Sequence, residues 1–176
     1  MNRLLLMLLA GSLLLWPDCS KAAESGLTVS IAIPQTHRRA GGIRSWKKEE
    51  RNSHFSVVFT NETPNPIIIW QGTNDLGYKA LRFQASDDRG KLFPVERAIM
   101  ASNGNVPSTQ SIKPTENLVI DVSLKDRTIS GDRLLFGRGH RVTLQAIYEV
   151  LPDVWSRKLN VWTGRIASDP VVCILY

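Results

Sequence analysis

Two short clusters hold the residues whose types and spacing could do chemistry. Trp155-Ser156-Arg157-Lys158 sets an aromatic ring beside two cations, and Arg44-Ser45-Trp46-Lys47 repeats that composition. Tryptophan among arginine and lysine is the composition of a contact surface. The ring offers a large, rigid apolar area with one polar edge, and the cations offer directed hydrogen bonds to acidic groups. Trp155, Arg157 and Lys158 are the first candidates for contact residues, and Arg44, Trp46 and Lys47 the second. Each cluster has a plainer reading. Trp155 and Trp162 could cover the end of a core, and Trp46 could pack back from a solvated loop.

The signatures of bond-making chemistry are absent. The sequence contains no G-x-S-x-G elbow, no H-E-x-x-H pair and no Gly-rich phosphate loop opening a helix. Its three histidines, His37, His54 and His140, are scattered, with no cysteine pair to complete a metal set. The expectation is a chain that is not an enzyme, with no catalytic residue, metal site or cofactor.

The elements that must position these clusters are strands. Leu27, Val29, Ile31 and Ile33 alternate with Thr28, Ser30 and Ala32, and Pro34 follows. Phe55, Val57 and Phe59 alternate in the same way, which puts His54 on the outward face. Ile67-Ile68-Ile69-Trp70 is a continuous apolar run. Leu81, Phe83 and Ala85 form another inward face, as do Leu118, Ile120, Val122 and Leu124. The clearest case sets Val142, Leu144, Ala146, Tyr148 and Val150 against Arg141, Thr143, Gln145 and Glu149. Two further runs cover residues 161–166 and 171–176. Period-two alternation places one face on a core and the other in water. Such runs, broken by Gly, Pro, Asn and Asp, predict an all-β, antiparallel, immunoglobulin-like β-sandwich of about seven to eight strands.

Helical periodicity is nearly absent. Asp87-Asp88-Arg89-Gly90 reads as a turn between two strands. Residues 37–52, 101–114 and 125–140 read as long connections, and the first is basic, with Arg38, Arg39, Arg44, Lys47, Lys48 and Arg51. Residues 151–158 read as a turn between neighbouring strands, and Gly164 as a bulge or a close backbone approach. Asn61-Glu62-Thr63 matches an N-glycosylation acceptor, although Asn and Thr at a strand end also serve turns.

The N-terminus predicts where the chain works. Asn2-Arg3 gives a positive start, residues 4–16 are almost wholly apolar, and Ser20-Lys21-Ala22 supplies small residues for a signal peptidase. Residues 1–22 are expected to be a secretory signal, cleaved after Ala22 or Ala23. Residues 23–176 are then one domain, periplasmic or secreted, with no transmembrane segment remaining. Asp18 before Cys19 does not suit lipoprotein processing. Of two cysteines, only Cys173 would survive cleavage, and its apolar neighbours predict a buried thiol rather than a reactive one. With 22 Lys and Arg against 16 Asp and Glu, the chain is basic, at net +6. An exported basic module is expected to meet a protein or an anionic envelope polymer rather than nucleic acid.

Four segments carry a resemblance. They are residues 59–67, with Asn61-Glu62-Thr63-Pro64; Leu81-Arg82-Phe83 with Asp88-Arg89-Gly90-Lys91; Ile112-Lys113-Pro114-Thr115-Glu116-Asn117-Leu118; and residues 142–148, ending in Tyr148. This order is similar to the BsuPI-type bacterial proteinase inhibitor domain and its immunoglobulin-like secreted relatives, over residues 55–150. Two departures stand out: Thr115 stands where a Gly is expected after Pro114, and residues 161–168, with Trp162-Thr163-Gly164-Arg165, extend beyond the resembling stretch. The resemblance implies the sandwich. No inhibitory position matches residue by residue, so the expected function is a non-catalytic interaction module acting through end loops. A proteinase inhibitor presenting a loop to an enzyme cleft is the alternative, and a secreted hydrolase on a sandwich scaffold trails both.

Overall fold

Alternating strands bury one face each, and that face decides how the sheets stack. The computed structural model describes residues 26–33, 44–46, 54–71, 75–97, 107–123, 127–129 and 140–175, so the expected signal segment and Lys47 lie outside the described residues. The elements are β1 (Leu27–Ala32), β2 (Arg44–Trp46), β3 (His54–Asn61), β4 (Ile67–Trp70), α1 (Asp75–Ala80), β5 (Leu81–Asp87), β6 (Leu92–Arg97), β7 (Thr109–Ile112), β8 (Asn117–Ser123), β9 (Arg127–Ile129), β10 (His140–Val150), α2 (Val154–Lys158), β11 (Gly164–Ala167) and β12 (Val171–Leu175). The chain is all-β in class, as its alternation predicts.

Three sheets form. One runs β1-β3-β8, a larger one runs β2-β12-β10-β5-β6-β9 with β11 beside the far end of β10, and β4 pairs with β7. Every pairing is antiparallel except β2 with β12. The register places the predicted faces together. Phe55, Val57 and Phe59 of β3 are buried, as are Leu81, Phe83 and Ala85 of β5 and Val142, Leu144, Ala146, Tyr148 and Val150 of β10.

Rings then bridge the first sheet to the larger one. Phe55 meets Phe83 edge to face, with centroids 5.2 Å apart, and Phe59 meets Tyr148 at 5.0 Å. Both separations fall in the range where aromatic pairs add to plain area burial. The Tyr148 hydroxyl accepts a hydrogen bond from the Trp70 N–H at 3.1 Å and so ties β4 to the same point. Burial pushes the Tyr148 phenol up to about 12, partly opposed by that backbone donor.

Four local expectations are corrected. The basic connection over residues 37–52 contains a strand, because Arg44–Trp46 pairs in parallel with Cys173, Ile174 and Leu175. A three-residue segment shows no period of its own and takes its conformation from the edge it joins. Similarly, Arg127–Ile129 forms β9 on β6 inside the presumed loop over residues 125–140. The turn after β10 is a short helix. Finally, the run at residues 161–166 divides, with Val161 buried after α2 and the strand beginning only at Gly164.

The turn between β7 and β8 contains a strained residue. Thr115 has φ of 62°, the left-handed region, which a β-branched side chain disfavours. Its N–H donates to the Asn61 carbonyl at 2.9 Å, and the Glu116 N–H donates to the Lys113 carbonyl at 3.0 Å, which hold it there. The glycine missing from the resemblance is thus missing at a position whose backbone calls for one.

Two stability outcomes follow from this arrangement. Tyr148→Phe removes the acceptor of the Trp70 N–H and leaves a buried donor unsatisfied, so chemical denaturation should show a loss of about 1–3 kcal/mol. Thr115→Gly should raise the denaturation midpoint, with a gain of roughly 1 kcal/mol from relieved left-handed strain. A destabilised Thr115→Gly protein would contradict the strain assigned to that turn.

Candidate functional site

The site is built where β10 ends. Val150 pairs with Gly164, and the chain then leaves the sheet through Leu151 and Pro152. Asp153 is extended and caps α2, its side chain accepting from the Ser156 N–H at 2.6 Å. In return the Asp153 N–H donates to the Ser156 hydroxyl oxygen at 2.8 Å, completing a capping box with Ser in the third helical position. The Leu159 N–H donates to the Trp155 carbonyl at 3.0 Å, and the Val161 N–H donates to the Ser156 carbonyl at 2.8 Å. This five-residue helix is therefore closed at both ends by its own hydrogen bonds.

The two nearby tryptophans divide the roles that the sequence left open. Trp162 covers the core: its ring lies 5.8 Å from that of Tyr148, and its backbone N–H donates to the Ile68 carbonyl at 2.7 Å. It also lies against Gly164, where a Cβ would meet the Trp162 ring at 3.0 Å and where φ is +143°. Both facts require glycine at that position. Trp155 faces outward instead, 44% exposed.

Around α2, at about 100° per residue, Val154 and Lys158 stand opposite the buried Ser156, with Trp155 and Arg157 on either flank. Exposure agrees, with Leu151 at 72% and Val154 at 71%, and with Arg157 and Lys158 both open to solvent. The Lys158 ammonium sits 5.2 Å from the Trp155 ring centroid. The Arg157 Nε donates to the Asp153 carbonyl at 3.1 Å, which holds the guanidinium beside the cap. Trp155, Arg157 and Lys158 are thus brought together on one rigid projection. Leu151 and Val154, which were not among the candidates, belong to it as well. Their signal was present as two apolar residues around Pro152-Asp153 that follow no strand period.

The second cluster lies elsewhere. Arg44 and Trp46 are in β2, at the edge of the larger sheet beside Cys173 and Leu175, and those in turn pair with Val142 and His140. The projection follows Val150, so most of the length of β10 separates them, roughly 25 Å at the rise of a strand. The side chains of Arg44 and Trp46, and all of Lys47, lie outside the described residues.

Of the other groups with reactive potential, one lies open on a strand and two are buried by the fold. His54 is exposed on β3, opposite Ser123. Cys173 is fully buried, and desolvation pushes its thiol up to about 12. Asn61 is fully buried too. Its amide donates to the Asn65 carbonyl at 2.8 Å and to the Ile112 carbonyl at 2.9 Å, and its oxygen accepts from the Thr63 N–H at 2.8 Å. Both amide protons are used, so in the folded chain Asn61 serves the turn and cannot receive a glycan. Among the described residues no three His, Cys, Asp or Glu side chains could hold a metal ion. No helix among them is long and apolar enough to cross a membrane. A cleft of about 210 Å³ runs between β1 and β11, lined by Leu27, Thr28, Val29, Ile166, Ala167 and Asp169.

The cap should respond to pH. The Ser156 N–H, then its hydroxyl, the Trp155 N–H and the Arg157 charge hold the Asp153 carboxyl below its ordinary value. A depressed carboxylate contributes stability that is complete above its unfolded pKa and is lost as pH falls through the folded one. Protection of the Ser156 amide, measured as its exchange rate relative to the intrinsic rate at the same pH, should therefore fall on acidification below about pH 4, and Asp153→Ala should show that lowered protection already at neutral pH. An unchanged Ser156 amide in Asp153→Ala would remove the cap from the account of α2. Comparison of the chain with protein family models, with curated proteins and with solved structures gives no match in any of the three.

Proposed function

We propose that this chain is an exported, non-catalytic interaction module, built as an immunoglobulin-like sandwich, that contacts an acidic protein or an anionic envelope polymer through α2. One observation carries the reading: a solvent-facing tryptophan with a lysine over its ring, fixed on a helix that its own cap makes rigid. Preordering matters because it lowers the entropy lost when side chains are immobilised on binding.

The inhibitor reading draws less support from α2. An inhibitor that lies in an enzyme cleft as a substrate does presents extended backbone, whereas residues Val154–Lys158 are helical.

Affinity capture tests the proposal. The immobilised protein, beside a Trp155→Ala/Arg157→Ala double variant, is exposed to envelope and secreted extract. Truncating an aromatic and an arginine at a contact centre should weaken retention at least tenfold, from about 2 kcal/mol or more for a hot-spot residue. Rising salt should weaken the parent's binding as exposed charges are screened. Equal capture by parent and variant would retire α2 as the contact surface, and capture of an active protease that is then slowed would favour the inhibitor.

A further inference from the structure

Resting on that reading of α2 as a contact surface, we infer that a further partner of the same surface is the interface of an anionic lipid bilayer, with residues Leu151, Val154 and Trp155 entering the headgroup region and Arg157 and Lys158 holding the phosphates.

The shape of the surface favours a bilayer. Leu151, Val154 and Trp155 are three large apolar side chains exposed within five residues of chain. Val154 stands with Lys158 on the side of α2 opposite the buried Ser156, and Leu151, just before the helix, is equally exposed. A folded partner would need a matching pocket for each of three projecting side chains, whereas a bilayer interface receives apolar prongs of any outline. The residue types agree, because tryptophan concentrates at the headgroup level, where its ring is apolar and its N–H is wet.

The charges are complementary to lipid phosphate. Arg157 and Lys158 flank Val154 on the outward face, and the single carboxylate of the segment, Asp153, is engaged in the cap by the Ser156 N–H. Net positive charge is thus presented around an apolar tip. Each cation near an anionic leaflet adds attraction that decays within a Debye length. The Lys158 ammonium, 5.2 Å from the Trp155 ring centroid, rides with the ring that would enter the interface. The rigid cap matters here too, since a tip ordered in advance loses little freedom when it docks.

Vesicle partitioning decides the matter. Protein recovered from the periplasm of an expressing bacterium is mixed with vesicles of phosphatidylglycerol and phosphatidylethanolamine, and separately with phosphatidylcholine vesicles. The anionic vesicles should retain the protein at low salt and the zwitterionic ones far less. Arg157→Ala and Lys158→Ala should each lower the partition coefficient about fivefold. Val154→Asp should abolish binding at any salt, and quenching of tryptophan fluorescence by brominated lipid should disappear in Trp155→Phe. All four positions are exposed, and unchanged far-ultraviolet circular dichroism would show that each variant folds. Failure of the parent to bind anionic vesicles, or equal binding by Val154→Asp, would overturn the inference. Where α2-dependent capture of an acidic protein persists without vesicle binding, the contact surface stands and the lipid assignment falls. Where α2 variants alter neither, both fall.

Discussion

The hydrogen bond from the Trp70 N–H to the Tyr148 hydroxyl, together with the ring that carries it, is the constraint on which the rest of the structure rests. Tyr148 belongs to β10 in the larger sheet, its ring packs on Phe59 of the three-stranded sheet, and its hydroxyl reaches the backbone of β4 in the two-stranded one. One side chain thereby touches all three sheets. A buried phenol without a partner would be costly, and a buried backbone N–H equally so, and here each removes the other's penalty. The distance between sheets at this point is therefore set by a polar contact with narrow geometry rather than by apolar packing alone.

A second polar contact does similar work at the turn end of β3. Asn61 is completely buried, yet each of its polar groups is matched: its side chain spans to Asn65, Ile112 and Thr63, its carbonyl accepts from Thr115, and its N–H donates to Glu116. These bonds tie β3 to the turn between β7 and β8. They also hold Thr115 in a conformation that its side chain disfavours. Local strain of this kind persists where surrounding hydrogen bonds over-determine the backbone. The apparent glycosylation motif at Asn61 is accounted for by this architecture.

The projecting α2 follows from the same core. Because Trp162 closes the end of the core over Tyr148, nothing remains for Trp155 to cover. The chain between Val150 and Gly164 must reverse direction to return to β10 as β11. Asp153 and Ser156 complete that reversal with one helical turn whose single buried side chain is Ser156. A small polar residue at the packed position leaves every large side chain of the turn outside. An exposed apolar and cationic tip is the result of this geometry, and its exposure is what supports a binding role.

The residues alone determined the class of the fold and the direction of each long strand face. Period-two alternation in β1, β3, β5 and β10 is strong, and it can place Phe55, Phe83 or Tyr148 inward without knowledge of a partner. Gly164 and the Asp87-to-Gly90 turn were also readable, because their backbone demands are local. Tertiary structure decided what depends on distant partners. Arg44–Trp46 and Arg127–Ile129 are too short to show a period, and they became strands only by pairing with edges far along the chain. Which of Trp155 and Trp162 would pack on the core was equally undetermined, since both lie near the same turn in similar company. That outcome came from the position of Tyr148 and Ile68, which sit many residues away in sequence and meet Trp162 only when the sheets have closed.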